Sequence, residues 1–126
     1  MNSEQSRIVL QLKATPELAR LVRMTAANVA MLSSMSVDRV EDLRMAAEEA
    51  FVYCCSAVPG SLVSITFMYS QEQVNAEFSM DDSESACIDS DDPTYAYADL
   101  ILSSVCDSYE KLSAPARLVL NMKADV

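Results

Sequence analysis

The chain has 126 residues, of which 51% are apolar, and a formal net charge of −10. That is enough apolar content for one domain with a core and too much for a disordered chain. The negative charge argues against nucleic acid and anionic membrane surfaces as partners, and no apolar run approaches the ~20 residues of a membrane span.

The polar start, MNSEQSR, carries no apolar signal segment, so a cytoplasmic protein is expected. The cysteines are Cys54, Cys55, Cys87 and Cys106, without a C-x-x-C spacing, and there is no histidine. No zinc site is expected from that set, and free thiols in a reducing compartment are the simplest account.

Arg7 to Lys13 alternates, with Ile8, Leu10 and Leu12 on one side, which predicts a strand with one buried face. Thr15-Pro16-Glu17 then reads as a helix start, Thr15 as N-cap and Pro16 in the first turn. The stripe of that helix is Leu18, Leu21, Val22, Thr25, Val29 and Leu32, ending at the polar break Ser33 to Ser36. Met24, Met31 and Met35 lie off the stripe, more apolar surface than a monomer normally leaves wet. Asp38 with Glu41 resembles a capping box for a second helix reaching about Ser56. Val40, Leu43, Ala47, Ala50, Phe51 and Cys54 form its inward face.

Pro59-Gly60 marks a turn. Two strands follow, with Val63, Ile65 and Phe67 inward in the first and Val74, Ala76, Phe78 and Met80 in the second. Their four-residue connection suits a hairpin. Residues 81–94 form an acidic, Ser-rich stretch without apolar period and read as a lid loop. A third helix is expected over Tyr95 to Ser108, with Tyr97, Leu100, Ile101, Ser104 and Val105 inward. Tyr109 to Leu112 reads as a short strand and Ala116 to Lys123 as the last one. The order β-α-α-β-β-loop-α-β-β predicts a single α+β domain over residues 1–126. Its expected form is a two-layer sandwich: a mixed, mostly antiparallel sheet of four to five strands with three helices on one face.

The stretch EDLRMAAEEAFVYCC, Glu41 to Cys55, resembles the N-box helix of the GHKL (Bergerat-fold) ATPases, most closely the anti-sigma factor/serine-protein kinase branch. Glu49 falls at the acidic position of that box, where the family uses a general base, and Tyr53 at the position of its magnesium-binding Asn. Asp81-Asp82-Ser83-Glu84-Ser85 stands where the family has Asp-x-Gly-x-Gly, so Asp81 matches the adenine-binding Asp while Ser83 and Ser85 replace glycines. Ala96-Tyr97-Ala98 stands where the family has Gly-x-Gly, followed by an apolar run ending in Asp107. The resemblance covers nearly the whole chain. Tyr53 is a poor magnesium ligand, and the missing glycines remove the backbone approach that a phosphate needs.

The resemblance implies a cytoplasmic regulatory protein that acts by binding a sigma factor or an anti-sigma-factor antagonist. It implies a homodimer through the first strand and first helix; the departures at Tyr53, Ser83, Ser85, Ala96 and Ala98 are what lead to the expectation of no cofactor and no phosphoryl transfer. Two alternatives stay open: a serine-protein kinase that binds Mg-ATP through Glu49 and Asp81, and a sensor of another small ligand in the same cleft. The plainer readings are a solvated Glu49, a turn-forming Asp81, and a Tyr53 packed in the core with its hydroxyl at the rim.

Overall fold

The computed structural model describes residues 6–80, 93–113 and 116–126. Five strands form one sheet: β1 (Ser6–Lys13), β2 (Leu62–Tyr69), β3 (Gln73–Met80), β4 (Ser108–Leu112) and β5 (Arg117–Lys123). Their spatial order is β1-β2-β3-β5-β4. Among the described residues the α-helices are α1 (Ala19–Ala30), α2 (Val37–Ala57) and α3 (Pro93–Val105).

Strand register explains why the sheet has one apolar face. Leu10 of β1 sits opposite Ile65 of β2, Ile65 opposite Phe78 of β3, and Phe78 opposite Leu118 of β5. Two residues along, Ile8, Phe67, Ala76 and Leu120 repeat the row. Because side chains alternate across a strand, these rows share a side and the helices cover it. Ser64, Thr66, Asn75, Glu77 and Ser79 take the opposite side, which faces water as antiparallel sheets allow.

The longest helix, α2, buries Leu43, Ala46, Ala47, Ala50, Phe51 and Cys54. Its alanines and those of α1, Ala26 and Ala30, present little bulk where helices pack together. Phe51, Phe67 and Phe78 are fully buried, each contributing roughly 1.5–3 kcal/mol from the transfer of apolar surface. The turn at Gly60 adopts φ 75°, a left-handed conformation that favours glycine, and its N–H donates to the carbonyl of Ala14.

Several expectations are corrected. All four strand pairings are antiparallel, so the sheet is not mixed. Ser36, rather than Asp38 and Glu41, caps α2: its Oγ accepts the N–H of Arg39. The chain after Thr15 first forms a 3-10 turn, Pro16–Leu18; the Thr15 carbonyl, not its side chain, accepts there. α1 ends at Ala30; Leu21 faces outward on it, and Leu32, in the turn beyond its end, is exposed too.

The inward face of α3 is Tyr95, Ala98 and Leu102, while Tyr97 and Leu100 are exposed. Pro93 and Thr94, expected in the lid, already belong to that helix. Residues 81–92 of the expected lid lie outside the described residues. No helix among the described residues is long and apolar enough to cross a membrane.

Candidate functional site

The second half of α2 carries Glu49 and, one turn later, Tyr53. α3 packs antiparallel to α2, since Tyr53 meets Tyr95 near the start of α3 while Arg39, near the start of α2, donates to the Val105 carbonyl at its end. Tyr53 is fully buried, hydroxyl included, and not at a rim. Its ring centroid lies 4.6 Å from that of Tyr95, with the planes tilted by 39°. Such pairs contribute about 0.5–1.5 kcal/mol beyond area burial.

β4 supplies the rest of the cluster. Its register places Tyr109 opposite Leu120 and Lys111 opposite Leu118, which sets both on the helix-facing side. The Tyr109 hydroxyl donates to Asp99 Oδ1 at 2.7 Å, and Lys111 Nζ donates to Oδ2 of the same carboxylate at 2.9 Å. Lys111 Nζ also stands 5.8 Å from the Tyr53 ring centroid, within cation–π reach. Burial, then the hydrogen bond to Asp99, pushes the Tyr109 phenol well above its usual pKa. The cluster is therefore a packed aromatic pair beside an internally neutralised Asp99–Lys111 pair.

Glu49 has a different environment. It is half-buried and makes no hydrogen bond or ion pair among the described residues. Burial first, and the neighbouring Glu48 second, raise its pKa. Glu48 itself accepts from Arg23 at 3.0 Å. Glu49 is a carboxyl with proton-accepting capacity, and its neighbour one turn on is the buried Tyr53.

Among the described residues, the other box positions, Ala96, Ala98 and Asp107, do not converge on a cradle. Asp81, Ser83 and Ser85 lie outside the described residues. Ala96 is exposed and Ala98 buried, and both sit inside α3 rather than ahead of it. Ala98 lies past the first turn, where the backbone N–H groups serve the helix, so its N–H is not presented to a phosphate. Asp107 pairs with the Arg39 guanidinium and accepts the Lys123 N–H at 2.6 Å. Arg39 also donates to the carbonyls of Lys123 and Val105, at 2.9 and 3.2 Å. Asp107 thereby ties the end of α3 to the start of α2 and the end of β5. The box positions that are described do not fit Mg-ATP: a packed aromatic ring occupies the expected metal-ligand position.

The sequence pointed to Glu49 and Tyr53 but not to Tyr95, Asp99, Tyr109 and Lys111 as one cluster. Tyr109 and Lys111 stand two apart on a predicted strand, a signal that they share a face. Their meeting with Asp99 depends on the β4–β5 register, which no local pattern records. A second feature is an apolar groove of about 360 Å³ between the end of α1 and the start of α2, lined by Met31, Met35, Val37, Val40 and Glu41.

Comparison with known proteins adds no relative to this geometry: no family model matches the chain, and no curated protein matches it.

Proposed function

We propose that this protein is an anti-sigma-factor-like regulator that acts by binding another protein and not by phosphoryl transfer. The observation that carries the reading is the burial of Tyr53 against Tyr95. Phosphoryl transfer depends on positioning the phosphate and neutralising its charge, chiefly with Mg²⁺ and backbone donors. At this site an aromatic pair fills the position that the resemblance gives to a metal ligand, and Lys111, a cation 5.8 Å from the Tyr53 ring centroid, is held by Asp99. Exposed Met24 on α1, exposed Met31 just past its end and the adjoining groove support a protein-binding role, since methionine adapts to varied partner surfaces. The partner in this reading is a sigma factor or an anti-sigma-factor antagonist.

Calorimetry with Mg-ATP tests it directly. No heat of binding is expected, and thermal unfolding should be unchanged by Mg-ATP. A ligand at a hundred times its dissociation constant would stabilise the fold by about 2.7 kcal/mol, so binding would be plain. The competing reading is an ATP-binding serine-protein kinase, favoured by the unpaired, pKa-raised Glu49. Micromolar binding of Mg-ATP, together with turnover lost in Glu49→Ala while binding persists, would establish that reading instead.

A further inference from the structure

The connection between α1 and α2 combines an apolar surface with a fixed backbone. No charged residue occurs from Met24 to Val37. Met31, Leu32 and Val37 are 70%, 53% and 79% exposed. Yet every backbone N–H from Met31 to Ser36 has an acceptor within the chain: the carbonyls of Ala27, Val29, Ala30, Gln71 and Ser33, and Asp125 Oδ1. Ser36 Oγ also donates to Asp125 Oδ2 at 2.6 Å, and Ser34 Oγ to Gln71 Oε1 at 3.1 Å. The Val126 N–H donates to the Ser34 carbonyl at 3.1 Å. The β2–β3 turn and the segment after β5 therefore hold this connection in place. The groove it walls, lined by Met31, Met35, Val37, Val40 and Glu41, is formed in advance, which lowers the cost of ordering it on binding.

Among the described residues Glu41 is the one polar residue of the lining, and Arg44 Nε already donates to its carboxylate at 3.0 Å. Small-molecule sites set several convergent polar groups in an apolar wall. This wall suits the apolar side chains of a macromolecule instead, and its two methionines adapt to their shape. The donors of the connection are taken, so it offers no ladder to an extended strand. A helix satisfies its own backbone and needs none. Charge decides the rest. Asp38, exposed and next to Val37, has no ion-pair partner among the described residues, and the chain carries −10 overall. That field attracts lysine and arginine and repels an anionic membrane. We propose that the groove holds an amphipathic helix of another protein, its apolar side chains seated among Met31, Met35, Val37 and Val40 and a lysine or arginine set against Asp38. The proposal rests on the protein-binding reading above and names the kind of segment bound.

The probe is a fluorescent peptide with leucines on one helical face and lysines on the other. Its anisotropy should rise saturably with the full chain. Counterparts with glutamate for lysine, or serine for leucine, should each bind at least about tenfold more weakly. Met31→Ser should weaken the leucine–lysine peptide about tenfold, since it removes an apolar contact without adding charge. Circular dichroism should be unchanged, because Met31 is exposed. Asp38→Arg should weaken that peptide about tenfold and strengthen the leucine–glutamate one. Glu110→Arg is the control: Glu110 is exposed on the open side of the sheet, the substitution changes net charge equally, and affinity should stay the same. Equal effects of the two charge reversals would overturn the proposal, because the peptide then senses net charge alone. So would no binding, or binding indifferent to Met31→Ser. Phosphatidylserine vesicles that sediment the wild-type chain but not Met31→Ser would make the occupant a membrane, and a dimer dissociated by Met31→Ser would make it a second copy; either overturns the proposal. These titrations contain no Mg-ATP, so their failure removes this surface alone, whereas heat of Mg-ATP binding removes the regulator reading whatever the peptide does.

Discussion

Replacing Tyr53 with asparagine restores the residue that the resemblance puts at this position, and the structure says it should damage the protein rather than rescue a function. Tyr53 is fully buried and its ring lies 4.6 Å from Tyr95. Truncating a buried large aromatic costs about 3–5 kcal/mol in lost transfer energy and cavity formation. The partner ring adds roughly 0.5–1.5 kcal/mol. Asparagine fills some of the space, yet it buries an amide that needs partners of its own. A net loss of about 4 kcal/mol is expected, a large share of the roughly 5–15 kcal/mol typical of a domain. Urea denaturation followed by circular dichroism would show it as a lower midpoint at unchanged slope. Mg-ATP should not restore the midpoint. A loss below about 1 kcal/mol would mean that the ring is not a packing element. A Tyr53→Asn protein stabilised by Mg-ATP would refute the argument that this site is closed by its own side chains.

Four other outcomes are expected. Asp99→Ala removes the acceptor for both Tyr109 and Lys111 and should cost about 1–3 kcal/mol in the same urea assay. Glu49→Gln should raise the melting temperature at pH 7. The folded state raises the Glu49 pKa and so disfavours its ionised form; the gain should disappear as pH falls below the ordinary carboxylate value of 4.5. Burial pushes the Cys55 thiol up to about 11 and Cys106 up to about 12. A raised folded pKa means stability present below the unfolded value and lost above it, so melting temperature should begin to fall above the ordinary thiol value of 9.0 and continue falling through 11; a flat profile there would count against buried thiols. Gly60→Ala should cost about 1 kcal/mol through its positive φ alone, since no heavy atom beyond its chain neighbours lies within 4 Å of the added methyl group.

What the sequence determined by itself was whatever a local period can encode. Two-residue alternation placed Val63, Ile65, Phe67, Val74, Ala76, Phe78 and Met80 inward, and all are buried. The three-and-four spacing of α2 likewise marked Leu43, Ala47, Ala50, Phe51 and Cys54 as core. In both, polar residues on the opposite side fix the phase. α3 offers no such contrast: Tyr95, Tyr97, Leu100, Ile101 and Leu102 give apolar residues on several sides, so periodicity could not say which of them faces α2. Packing against Tyr53 decided it, turning Tyr95, Ala98 and Leu102 in and leaving Tyr97 and Leu100 out. α1 has the same ambiguity in two separate stripes, and only its docking on α2 and the sheet chose the one with Val22, Ala26 and Val29. The candidate site followed the same rule. Glu49 and Tyr53 are four apart on one helix and could be read together. Asp99, Tyr109 and Lys111 meet only because β4 pairs with β5 in one register and α3 lies above it. Such contacts join residues whose separation in sequence carries no information about their distance in space.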